Sequence, residues 1–161
     1  MNQATINLAL YVRDLLTVAE SSIALGRTNR SRGDTDALQI VVDTLAPAIA
    51  LTDTSQYDGI TELQEITQVW QSVMTIDFMG ATAYQEAIKF ITRNRHQVGF
   101  DLKRTLGIDV GAVGQIQDLK FLQGEQYSER LQIQLTMTYN VTANIETLRI
   151  DTAQLDTLLT N

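Results

Sequence analysis

The chain has 161 residues, 44% of them hydrophobic and 19% charged, with a net charge of −7 and no cysteine. That length suggests one domain over residues 1–161, able to bury about 70% of the surface its unfolded form exposes, and the composition excludes a disordered tail. The absent cysteines exclude a disulfide framework and a thiolate metal site, and the acid excess opposes a free nucleic-acid binder with a wide basic face.

From the N-terminus, Met1–Leu10 shows neither the basic start nor the small-residue cleavage site of a signal peptide. No apolar run approaches the ~20 residues of a membrane span. Leu8, Val12, Leu15, Leu16, Ala19 and Ile23 recur at helical spacing, which predicts a helix over about 6–25. Thr5 or Asn2 can cap its start and Gly26 suits its end. Ile6, Leu10 and Val18 widen the apolar stripe, so the helix is either buried on more than one side or meets another chain.

A polar loop, Gly26–Asp36, carries Arg27, Arg30 and Arg32. It reads either as a contact to DNA or to an acidic neighbouring subunit, or as a solvated loop balanced by Asp34 and Asp36. The second account is the simpler one, and no aromatic residue lies among the arginines to stack on bases. Leu38, Ile40 and Val42 alternate with Gln39 and Asp43, apart from Val41, and predict a strand, which Pro47 interrupts. Thr52–Thr61 reads as a polar loop with Tyr57-Asp58-Gly59 as its turn.

Gln68–Met79 reads as a long strand, with Trp70, Met74, Ile76 and Phe78 on one face and Gln71, Thr75 and Asp77 on the other. Thr82 and Gln85 form a capping-box pattern opening a helix whose buried stripe is Tyr84, Ala87, Ile88 and Ile91. A second helix, about Val98–Leu106, stops at Gly107. Val113–Leu122 reads as a strand with a bulge near Asp118, and Gly124 lies in a hairpin-like reversal. The strict alternation from Leu131 to Tyr139 is the clearest strand signal in the chain. Ile145–Asp151 predicts a last strand, and Ala153–Leu159 a short helix or tail. The order favours an α+β fold, a mainly antiparallel sheet with helices packed on one face.

Chemistry is sparse. His96 is the only histidine, too few for a zinc site and without a nucleophile to serve as a base, so it reads as a solvated residue at a helix boundary. Gly107, Gly111 and Gly114 match no phosphate or dinucleotide fingerprint. Asp34 and Asp36 begin no complete calcium loop. No catalytic, cofactor or metal site is predicted.

Three blocks resemble the phage neck and tail-terminator proteins. They are the strand Trp70–Gly80 followed at once by the helix Ala81–Asn94; Gly107-Ile108 with Val113-Gly114-Gln115-Ile116-Gln117-Asp118-Leu119; and Glu129-Arg130 leading into Leu131-Gln132-Ile133-Gln134-Leu135-Thr136 and on to Tyr139. The resemblance covers about 38–151, and Leu131 is bulkier than the family's usual residue there. It implies a non-enzymatic virion protein of the neck, assembled in the bacterial cytoplasm. It further implies a homo-oligomer, a hexameric ring that caps the head-proximal end of the tail tube. Its implied partners are the tail tube protein, the head-tail connector and, in contractile phages, the sheath, while genomic DNA passes through the ring. Glu129 and Arg130 are candidate subunit-interface residues, with a surface ion pair as the simpler alternative. The competing functions are a head-side connector or stopper and, in a different class, an acidic DNA-contacting accessory protein.

Overall fold

The computed structural model describes residues 3–26, 37–61, 63–119, 121–123 and 126–146. Helix α1 spans Gln3–Leu16 and buries Ala4, Leu8, Tyr11, Val12, Leu15 and Leu16. It is shorter than its apolar spacing predicts. Thr17 turns left-handed at φ 61°, and the carbonyls of Leu15 and Leu16 accept hydrogen bonds from Arg93 Nη1 (2.7 Å) and Lys89 Nζ (3.0 Å). Two cations thus satisfy the helix end and complement its dipole. Ala19 is exposed, and Ile23 belongs not to the helix but to strand β1, Ile23–Leu25, after a 3₁₀ turn over Glu20–Ser22. Thr5 caps nothing; it lies inside the helix with its hydroxyl 3.1 Å from that of Thr44.

Strands β2 (Gln39–Thr44), β3 (Ile49–Asp58) and β4 (Leu63–Met79) follow. The predicted loop 52–61 is therefore mostly strand: Tyr57 and Asp58 end β3, and the turn falls later, over Gly59–Thr61. Helix α2 spans Ala83–Asn94, and Thr82 at its start makes no side-chain capping bond. Its buried face is Ala83, Ala87, Phe90 and Asn94, whereas Tyr84 and Ile88 are exposed. That rotation from the predicted stripe places Phe90 against Tyr11 and Phe78, each ring centroid 6.3 Å away. Helix α3, Gln97–Leu106, ends at Gly107, which takes the left-handed conformation (φ 63°) that glycine adopts without cost.

Strand β5 runs over Ile108–Asp118, starting earlier than predicted. Its register shifts fall between Val110 and Val113 and between Val113 and Ile116, rather than near Asp118. Strands β6 (Phe121–Gln123) and β7 (Gln126–Ser128) form a separate antiparallel pair, and β8 spans Arg130–Glu146. Ile145 and Glu146 end β8 rather than opening a further strand. The remainder of that prediction, and the expected helix or tail at 153–159, lie outside the described residues, as do Asn2 and Gly124.

The larger sheet has the order β1-β2-β4-β8-β5, with β3 also paired to β4. It is mixed: β1 runs parallel to β2, and the other pairings are antiparallel. Met74, Ile76 and Phe78 lie opposite Leu135, Ile133 and Leu131, and all six are buried. Each such side chain contributes about 1.5–3 kcal/mol of burial. Apolar residues of α1 and α2 join this row in one core. The expected layering of helices on one face is met only in part, because α3 packs chiefly on α1, α2 and the adjoining β5.

Candidate interaction surfaces

Two regions carry polar or apolar groups that core packing does not explain. The first sits where β8 begins. Antiparallel register sets Gln132 opposite Asp77, and Arg130 opposite Met79. Arg130 Nη2 donates to Asp77 Oδ2 at 2.8 Å, and Gln132 Nε2 donates to Asp77 Oδ1 at 2.7 Å. The Asp77 side chain is 4% exposed and that of Arg130 29%. This is a buried carboxylate held by a charge-assisted bond and an amide, stronger than the surface pair that Arg130 suggests in sequence. Glu129 is exposed beside it. The alternation of β4 marks Asp77 as a polar-face residue, but only the pairing of β4 with β8 reveals its partners.

The second region is an arm. Strand β8 pairs with β4 along its whole length, from Glu146 opposite Leu63 to Arg130 opposite Met79. Strands β2 and β3 share the other edge of β4, β2 over Met74–Met79 and β3 over Leu63–Gln71. Beyond the helices the sheet thus continues as three strands, β3, the first half of β4 and the last part of β8. All of β3 and residues 140–146 of β8 are exposed.

Register gives the arm two unlike faces. On the face continuous with the core lie Trp70, Ile66, Tyr139, Val141, Ala143, Ile145 and Tyr57, with the polar Gln64, Gln68, Asp53 and Ser55 among them. The opposite face presents Thr52, Thr54, Gln56, Asp58, Glu65, Thr67, Asn140, Thr142, Asn144 and Glu146, with Leu63 and Val69 as its apolar members. On it, the Thr67 and Thr142 hydroxyls lie 3.1 Å apart. At the tip, the Ile60 backbone N–H and the Thr61 hydroxyl donate to Asp58 and hold its carboxyl below the usual range. No lysine or arginine occurs between Arg32 and Lys89, or between Arg130 and Arg149. The arm's only charges are therefore acidic.

Other candidates stay apart. His96 is exposed at the start of α3, and its side chain makes no capping bond. Arg27, Arg30 and Arg32, with Asp34 and Asp36, lie outside the described residues. Lys103 is buried, donates to the Val110 carbonyl at 3.0 Å and lies 5.2 Å from the Phe100 ring centroid; burial lowers its pKa, partly offset by Asp109. A hollow of about 310 Å³ beside it is lined by Asn94, Arg95, Phe100 and Val110. A second, of about 160 Å³, lies between α1 and β1, where Ile6 and Leu10 remain half-buried. Among the described residues no group of three His, Cys, Asp or Glu is placed to hold a metal ion, and no helix is long and apolar enough to cross a membrane.

The sequence model of a family described as phage neck terminator protein matches residues 8–159. Comparison with curated proteins finds no match.

Proposed function

The chain belongs to the phage neck terminator family, a structural family of the head-tail junction, and from that premise we propose that it closes the tail tube as a hexameric ring. In this reading the ring occupies the head-proximal end of the growing tube, stops its polymerisation and presents its other side to the head connector. It works without catalysis, in the neck of the virion, after assembly in the host cytoplasm. In a contractile particle its outer wall also meets the last ring of the sheath.

The observation that carries the reading, beside the family, is the arm. A ring subunit needs two different patches for its two neighbours and a third surface towards the channel. The arm supplies a face that mixes aromatic and aliphatic side chains with polar ones, and a neutral-to-acidic face free of cations. A channel wall of Thr, Asn, Gln and carboxylates gives DNA phosphates no counter-charge to grip, so the genome slides past. Glu129 and Arg130 are further proposed to lie near a subunit boundary. Since Arg130 is committed to Asp77 within the chain, Glu129 is the member that faces outward.

The test is tail length, by electron microscopy, in particles assembled without this chain. Overlong or variable tails detached from heads establish termination. Tails of normal length beside filled, tailless heads move the chain to the connector side. Normal particles remove it from the neck. Tight, salt-sensitive binding of duplex DNA by the purified chain would favour the accessory-protein reading, through Arg27, Arg30 and Arg32.

A further inference from the structure

The edges of the sheet are treated unequally. An exposed edge offers unpaired N–H and C=O groups to any other strand, and folded chains blunt such edges by shortening, bulging or charging them. The two outer edges of the body are blunted. Strand β1 has only three residues, and β5 is broken by two register shifts. The two outer edges of the arm are not. After one register shift near Leu51, β3 runs regularly from Thr52 to Asp58, and β8 runs without a shift to Glu146. Neither stretch contains proline, lysine or arginine. Among the described residues no strand pairs with the outer edge of β3 or with that of β8 beyond Tyr139.

These edges lie on opposite sides of the same arm, because β8 and β3 occupy the two sides of β4. Both run antiparallel to β4, so they run parallel to each other. Rotation about a ring axis that runs along the strands preserves strand direction. The β8 edge of one copy and the β3 edge of the next can therefore meet only as a parallel pair. A two-fold dimer would instead join β3 to β3, or β8 to β8, antiparallel.

From this asymmetry we infer that the arms of successive copies join edge to edge, β8 (Asn140–Glu146) of one copy to β3 (Thr52–Asp58) of the next, in parallel. The arms then form one continuous sheet around the channel. The occupant of each edge is a second copy of this chain: one arm carries both halves of the junction, and both halves are uncharged along most of their length. The inference rests on the ring reading and specifies the surface that closes it.

The chain has no cysteine of its own, so engineered pairs report the junction without background. Thr54→Cys is combined in turn with Asn140→Cys, Thr142→Cys and Asn144→Cys, all on the same face of the arm. A parallel pair brings Cα atoms within the 4.4–6.8 Å a disulfide spans. The purified full-length chain is oxidised up to millimolar concentration and resolved on a non-reducing gel. The expected result is a ladder of covalent oligomers, ending at the closed ring, from at least one double variant and from neither Thr54→Cys nor Thr142→Cys alone. Dimers from either single variant would establish a two-fold contact and overturn the inference; so would the absence of cross-links from all three double variants. Tail length separates this from the function. Normal, head-attached tails built with a variant set that never cross-links would reject the junction and keep the terminator reading. Normal particles without the chain would reject the terminator reading, whatever the gel shows.

Discussion

Replacing Arg130 by methionine should cost more than replacing its partner Asp77 by asparagine. The two side chains share one bond, but they differ in what each leaves behind. Without Arg130, a carboxylate only 4% exposed keeps one donor, Gln132 Nε2 at 2.7 Å. Breaking a fully buried pair costs about 3–5 kcal/mol, most of it the stranded charge. Because Arg130 is 29% exposed, water already screens part of the pair, and about 2–3 kcal/mol is the better figure. For a chain of this size that lowers Tm by roughly 4–12 °C. Asp77→Asn leaves a guanidinium that can turn towards water, so about 1 kcal/mol is expected. The double variant should recover much of the Arg130→Met loss, giving a coupling of about 1 kcal/mol or more. Urea unfolding of the four proteins measures all of this. Strictly additive losses, or a costlier Asp77→Asn, would refute the reasoning. The same logic disqualifies charge reversal at Arg130 as a probe of subunit contact. It sets a second carboxylate beside Asp77, and assembly would fail because the fold does. Glu129→Lys is the cleaner probe.

Tyr11→Phe removes the 2.7 Å bond to Asn94 Oδ1, a buried acceptor, and should cost about 1–2 kcal/mol in urea unfolding. Burial, reinforced by the Asp109 charge, pushes the Tyr11 phenol well above its ordinary 10.0. Its contribution is therefore complete below pH 10 and declines above it, where the unfolded chain ionises first. The Tm gap between wild type and Tyr11→Phe should narrow from pH 9 to pH 11; a constant gap would refute the cause. A methyl group at Gly99 would sit 2.6 Å from the Arg93 carbonyl oxygen and 2.8 Å from that of Asn94. Gly99→Ala should force α2 and α3 apart at a cost of about 1–3 kcal/mol, whereas Gly59→Ala at the arm tip should stay within about 0.5 kcal/mol by thermal unfolding.

What the sequence made legible followed from burial on one face. Strand β8 alternates because Leu131, Ile133, Leu135, Met137 and Tyr139 face the core while their neighbours do not. Strand β3 buries neither face, so no alternation marks it and its Thr, Ser and Asp residues read as a loop. On α2 two stripes fit helical spacing, and the larger apolar residues favour the wrong one. The correct stripe ends in Asn94, a polar residue paid for by the hydroxyl of Tyr11, 83 positions away. Asp77 and Arg130 are likewise 53 positions apart. Such partners are set by sheet register, which local pattern does not encode. The early end of α1 depends on Lys89 and Arg93, again supplied from another element. The family blocks stayed legible because they lie mostly in the body, where packing imposes pattern, and reach the arm only at Trp70, Gln71 and Tyr139.

Strands β4 and β8 each have 17 residues, about 56 Å of extended chain, and the core uses only part of that length. Fixing a residue in extended backbone costs about 1–2 kcal/mol of conformational entropy. In the body, complete burial of Ile76 or Ile133 offsets this. In the arm Tyr57, Val141 and Ile145 remain 46%, 46% and 49% exposed, so the offset within a lone chain is incomplete. The arm should therefore be the first part of the sheet to open, and hydrogen exchange measures this directly. In the isolated chain, amides of 140–146 that pair with β4 should exchange at least tenfold faster than those of 131–137 on the same strand. On assembly, the outward amides of the same segment and those of 52–58 should both become protected, because a new strand then lies against each edge. Equal protection along β8 in the isolated chain would mean that the arm is stable without a neighbour. The arm's length would then need no assembly to account for it.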